Sequence, residues 1–142
     1  MGKNIMYAGI TGSGSAVKMF NNYLGGSGLV ACCEVMVMAK KLGIDVENVF
    51  NIINKSTGRN FASETSIIPF LKERDFSPKF ATDLFYKDIN IAMETAAELK
   101  MSVPIGAATL EAFGAARAMG CGKEHSIAVV KYYEALAGVT VN

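Results

Sequence analysis

At 142 residues the chain is the size of one domain, and 51% apolar against 19% charged side chains exclude a disordered segment. The formal charge of +1 comes from 14 basic and 13 acidic residues scattered along the chain, so no footprint for nucleic acid or an anionic membrane is present. Cys32, Cys33 and Cys121 are too few and too badly spaced for a disulfide framework or a zinc site, so no metal is expected and the thiols read as reduced, in a cytoplasmic protein.

Asn4 to Ala8 reads as a short strand, and Lys3 before it opens no signal peptide, because the run that follows is Gly-broken and lacks a clear cleavage site. Gly9, Gly12 and Gly14 then break the chain. A long helix is expected from about Ser15 to Leu42, stopped by Gly43. Its most apolar run, Leu29 to Ala39, carries Glu34 and ends at Lys40-Lys41, short of the roughly 20 residues a spanning helix needs. Gly25, Gly26 and Gly28 in its middle mark a kink or a close backbone-to-backbone packing, and the unbroken apolar pattern favours packing. Met36 and Met38 suit a buried interface or an ordinary core.

Asp45 reads as the N-cap of a helix carrying Val46, Val49, Phe50 and Ile53. A turn at Ser56-Thr57-Gly58 follows, then a helical piece through Pro69 to Arg74, then a connector at Asp75-Phe76-Ser77-Pro78. Phe80 to Lys100 reads as a second long amphipathic helix with Leu84, Ile91, Ala92 and Leu99 near one face. Pro104 opens another helix ending at Gly120, and a last one covers Glu124 to Leu136. The body is all-α, and a lone strand beside it looks like an edge belonging to a neighbouring domain.

Strand, glycine loop and helix also open two phosphate-binding units. The P-loop fails, because Gly14 is followed by Ser15, and Lys18 comes too late. The dinucleotide fingerprint fails, because Val17 holds its third glycine position and a long helix replaces the helix-strand crossover.

The full run Gly9-x-x-Gly12-x-Gly14-x-x-x-Lys18-x-x-x-Asn22 is more specific than its glycines. It resembles the start of the C-terminal domain in the β-hydroxyacid dehydrogenase family of 3-hydroxyisobutyrate dehydrogenase and tartronate semialdehyde reductase. Ser56-Thr57-Gly58-Arg59 is similar to the family's Ser-Gly-Arg turn, with Thr57 an inserted or substituted residue. Phe76-Ser77-Pro78-x-Phe80-x-x-x-Leu84-x-x-Lys87-Asp88 resembles its second diagnostic block, and Val103-Pro104-Ile105 its Val-Pro-Leu-Pro segment, with Gly106 in place of the last proline. The resemblance implies a helical bundle on one long N-terminal helix, like the C-terminal domain of 6-phosphogluconate dehydrogenase. It also implies that residues 1–11 are the last strand and linker of an absent Rossmann domain, and that residues 12–142 form the substrate and oligomerisation domain.

Lys18 and Asn22 project from one helix face. Hydride transfer to a carbonyl creates an alkoxide, which a cation able to donate a proton is suited to meet. In the reverse direction a lysine can accept the hydroxyl proton once partial burial lowers its pKa. Taken alone, a Lys-Asn pair near a helix start is more often solvated surface. The resemblance assigns Lys18 as the acid/base, with Asn22 and Gly14 binding substrate. It places Lys87 and Phe80 on an NAD or NADP cofactor held mainly by the absent domain, and Asp88 in a structural role. Phe80, Leu84 and Lys87 at i, i+4, i+7 otherwise read as a core stripe with a snorkelling lysine. Arg59 is a candidate for a substrate carboxylate or an ordinary solvated residue, His125 reads as surface, and Glu34 as a packing or subunit contact.

Two functions compete. One is the C-terminal half of an enzyme interconverting a small 3-hydroxyacid and its semialdehyde, joined to a Rossmann domain and assembled as a homodimer or tetramer, with no nucleic acid or membrane partner. The isolated chain would then form helical oligomers, hold NAD(P)H poorly and turn nothing over. The other is a non-catalytic oligomerisation module on the same fold, against which the retention of Lys18 argues.

Overall fold

The computed structural model describes residues 12–142, so the strand expected over Asn4 to Ala8 lies outside the described residues. The helices are α1 (Ser13–Lys41), α2 (Val46–Ile53), α3 (Ile68–Glu73), α4 (Thr82–Glu98), α5 (Pro104–Ala118) and α6 (Val130–Ala137). A π-turn, Ser63–Ile67, leads into α3 and a 3-10 turn, Ser126–Val129, into α6. The one β-type pairing among the described residues is an isolated bridge between Ala81 and His125, so the domain is all-α.

α1 begins after Gly12, held at φ +93°, and ends where Gly43 takes φ +71° and frees the Ile44 N–H to reach Ala39 O at 3.0 Å. At 29 residues it is long and apolar enough, by length and composition alone, to cross a membrane, a test that a buried core helix also passes. Its second half is instead the spine of the core. Leu29, Val30, Cys33, Met36 and Val37 pack there with Phe50, Ile67, Phe113 and the run Ile127–Val130. Met36 is fully buried core filler, whereas Met38 is exposed. From Ser13 to Gly25 no residue of α1 is buried, so the half that carries Lys18 and Asn22 projects beyond the core.

Two of the three mid-helix glycines, Gly26 and Gly28, are close-packed, but against side chains rather than another backbone. A Cβ on Gly26 would lie 3.1 Å from Phe85 Cδ1 and 3.2 Å from Ile89 Cδ1, and one on Gly28 would meet Asn60 at 3.4 Å. Gly25 has open space beside it. Gly26 thereby lets α4 lie directly on α1.

Asp45 caps α2 as expected, accepting the Asn48 N–H at 2.6 Å. The next helical run spans residues 61–73 and is opened reciprocally: Asn60 Oδ1 accepts the Ser63 N–H at 3.0 Å, and Ser63 Oγ accepts the Asn60 N–H at 2.9 Å. Pro69 cannot donate to the carbonyl four residues back, and its ring crowds that carbonyl. The widened π-turn just before it accommodates both effects.

α4 starts two residues later than the sequence pattern predicts, because Ala81 is extended and bridged to His125. Phe80 therefore precedes the helix instead of sharing its face with Leu84 and Lys87. The buried stripe is also different: Thr82, Ile89, Ala92 and Ala96 face inward, while Leu84, Ile91 and Leu99 are exposed. Leu84 and Lys87 are thus not a core stripe.

α5 opens at Pro104, and Gly106 explains its own departure from the family segment. A Cβ there would stand 2.3 Å from Met93 Cε and 2.5 Å from Tyr23 Cε2. Both neighbours are side chains, the Met93 thioether the more flexible of the two. Gly106→Ala should lower stability by about 1–3 kcal/mol by overpacking, read from a urea titration. In a Met93→Ala background only part of that loss should disappear.

The C-terminal tail is clasped by a partly buried ion pair. Arg74 donates to Glu134 through two bonds of 2.9 and 2.8 Å and also to Val141 O, while Glu134 Oε1 accepts the Val141 N–H at 2.7 Å.

Candidate active site

α1 and α4 run antiparallel: Gly26 meets Phe85 and Ile89, Asn22 meets Asp88, and Met19 meets Thr95. The start of α4 is pinned by Thr82 N–H to Glu124 O and Asp83 N–H to Gly122 O, both at 2.9 Å. With one end fixed and the spacing set by Gly26, residues 87 and 88 arrive opposite residues 18 and 22.

The result is an open recess of about 290 Å³ lined by Lys18, Asn22, Lys87 and Asp88, with Ser15, Met19 and Ile91. Asp88 is its organiser. One carboxylate oxygen accepts from Asn22 Nδ2 at 2.6 Å and the other lies 3.3 Å from Lys87 Nζ. The Asp88 side chain is 16% exposed and that of Lys87 63%, so the carboxylate is the fixed partner and the ammonium the mobile one. Asn22 Oδ1 in turn accepts from Asn21 Nδ2 at 3.3 Å. Lys18 is exposed and makes no ion pair or hydrogen bond with another described residue, so its ammonium faces the opening. The site therefore holds an oriented amide, one cation tied to a carboxylate and one cation available to a ligand.

Three residues singled out in the sequence, Lys18, Asn22 and Lys87, thus meet in one recess. Phe80 lines a neighbouring recess of about 250 Å³ that also includes Asn22, Phe61 and His125. Gly14 lies in the first turn of α1, one residue before Ser15, with open space around it. Arg59 is exposed in its turn, and Glu34 is exposed on α1. Tyr133 is affected by Glu34: burial chiefly, then the nearby Glu34 carboxylate, pushes its phenol well above the ordinary range. Burial likewise raises the Cys32 and Cys33 thiols, which stay protonated and unreactive.

His125 is half-buried rather than a surface residue. Its Nδ1 accepts the Ile127 N–H at 3.1 Å and caps the 3-10 turn, and its backbone N–H donates to Phe76 O at 3.0 Å. No local pattern carries this, because the ring's environment comes from the connector, nearly fifty residues earlier in the chain. Burial lowers its pKa below the ordinary 6.5; Lys79 adds to the shift and Asp75 opposes it. The folded state thus favours the neutral ring, so the unfolded chain takes up the proton first as pH falls. Stability contributed here is complete above pH 6.5 and is lost as pH drops from there through the folded pKa. The melting temperature should fall between pH 7.5 and 5.5, and His125→Asn should remove part of that fall.

The described residues thus form a helical domain in which one long helix presents Lys18 and Asn22 to Lys87 and Asp88. The chain belongs to the 3-hydroxyisobutyrate dehydrogenase family: residues 12–133 match the family described as the NAD-binding part of NADP-dependent 3-hydroxyisobutyrate dehydrogenase. It is 39% identical to 2-(hydroxymethyl)glutarate dehydrogenase of Eubacterium barkeri over all of this chain and 47% of that enzyme. Among solved structures it is similar to 3-hydroxyisobutyrate dehydrogenase of Salmonella typhimurium, at TM-score 0.80 and 30% identity over 84% of this chain and 42% of that one. The corresponding Mycobacterium tuberculosis enzyme, solved with L-serine, gives TM-score 0.81 and 27% identity over 92% and 46%. The chain spans under half the length of the curated relatives it matches. NAD or NADP is the cofactor of this family.

Proposed function

We propose that this chain is the helical half of a dehydrogenase that interconverts a small 3-hydroxyacid and its semialdehyde. The observation that carries the reading is the convergence of Lys18 and Asn22 of α1 with Lys87 and Asp88 of α4 in one recess. The named relatives support the substrate class, and L-serine, with which the Mycobacterium enzyme was solved, is itself a 3-hydroxyacid.

In oxidation the 3-hydroxyl gives its proton to Lys18 as the carbinol carbon gives up hydride. In reduction Lys18 returns a proton to the forming alkoxide. Bound NAD(P) supplies or accepts that hydride. Asn22 orients the substrate, its amide fixed by Asp88, so the proton is exchanged with Lys18 and not with the amide. Lys87, at the recess mouth, and Phe80, beside Asn22, fit the nicotinamide end of the cofactor: a mobile cation suits its ribose and phosphate oxygens, and an aromatic face suits its ring. The recess is open, so a nucleotide-binding domain closing over it would supply the rest of the cofactor site and exclude water. Alone, the helical half would hold NAD(P)H weakly and turn nothing over.

Assembly through the helical half is supported by exposed Val17, Phe20 and Leu24, which share one face of the projecting part of α1. The test is a coupled assay on the whole protein with NADH and NADPH against a panel of 3-hydroxyacids and semialdehydes. Nucleotide-dependent turnover of at least one pair is expected. No turnover, with both nucleotides bound, would leave the fold serving assembly alone.

A further inference from the structure

We infer that the recess beside Asn22 is a subsite for a second carboxylate on the substrate, held by His125. This rests on the dehydrogenase reading above. The recess shares Asn22 with the reaction recess, so an arm on the substrate carbon next to the reacting one passes from one into the other. Its walls are the rings of Phe61 and Phe80, and its polar lining is Asn21, Ser66, His125 and Ser126.

Two features select an anion. No acidic side chain lines this recess, whereas Asp88 lines the reaction recess. Every polar side chain there can donate, and a carboxylate is an acceptor-only group with several lone-pair directions to fill. The His125 tautomer is set by its cap: Nδ1 accepts the Ile127 N–H, so in the neutral ring the proton sits on Nε2. That Nε2–H has no acceptor among the described residues. A carboxylate arriving in the recess supplies one.

The test uses the whole dehydrogenase with two 3-hydroxyacids, one with a C2 carboxymethyl arm and one with an isobutyl arm of similar shape. His125→Asn keeps an oxygen acceptor for the Ile127 N–H and removes the ring donor. The KM for the carboxymethyl substrate should rise about tenfold while kcat stays within about twofold, as loss of one hydrogen bond to a charged group implies. The KM for the isobutyl substrate should not change. Ser66→Ala should raise the same KM by a smaller factor, an independent readout should His125→Asn fold poorly. Equal KM changes for both substrates, or none for either, would overturn the subsite and leave the dehydrogenase reading standing. Turnover of neither substrate by the wild type, after failure on the broader panel, would overturn both.

Discussion

Lys18→Ala in the whole dehydrogenase is expected to lower kcat by about 10²–10⁴-fold, the usual size of a positioned acid/base contribution. The side chain is exposed and unbonded to any described residue, so its removal should leave the melting temperature and the assembly state where they were. KM for the hydroxyacid should change far less than kcat, because proton transfer matters in the transition state and not in the bound ground state. Lys18→Arg is the informative companion. It keeps the positive charge but holds its proton at every accessible pH, so it should leave KM near the wild-type value without restoring rate. Wild-type rates in Lys18→Ala would move the proton transfer to another group, with Lys87 the other cation of the same recess.

The distinction between Lys18 and Lys87 is only partly legible in the sequence. Lys18 and Asn22 share a helical face by spacing alone, and helix α1 is where the apolar pattern and Gly43 place it. Their meeting with residues 87 and 88 depends on antiparallel packing across some seventy residues, which local periodicity does not encode. Only the family block points to it. The apolar positions of α4 form two stripes, one through Thr82, Ile89, Ala92 and Ala96 and another through Leu84 and Ile91. By composition the Leu84–Ile91 stripe is the more hydrophobic, so a reading of pattern alone turns it inward. Close approach at Gly26 selects the other, because the missing Cβ leaves room on α1 for Ile89 and the Phe85 ring. Ile91 is left to line the recess. His125 escapes the sequence pattern for a related reason: its burial is made by the connector at residues 74–80, and an isolated histidine near a helix start carries no sign of that.

The largest effect on stability is expected at a different place. Glu134→Ala should cost about 3–5 kcal/mol, because it leaves a partly buried guanidinium unpaired and the Val141 N–H without its acceptor. The Arg74 guanidinium also stands over the rings of Phe70 and Phe76, 5.7 and 5.4 Å from their centroids, so it is fixed from three sides and cannot easily turn to solvent. The exposed pair Lys72–Glu47, at 4.0 Å, is the contrast: breaking it should cost well under about 1 kcal/mol. Arg74→Ala should be as damaging as Glu134→Ala, and the double variant little worse than either, since one network is lost only once. Urea unfolding measures all three, and additive losses would mean that the two side chains act independently. Hydrogen exchange at Val141 should rise first, because the tail is held by this carboxylate and buried against the core. The clasp joins the tail to the end of α3, and none of its residues lines the recess that holds Lys18. Below its lowered melting temperature, Glu134→Ala should therefore keep most of its kcat, the reverse of the pattern expected for Lys18→Ala.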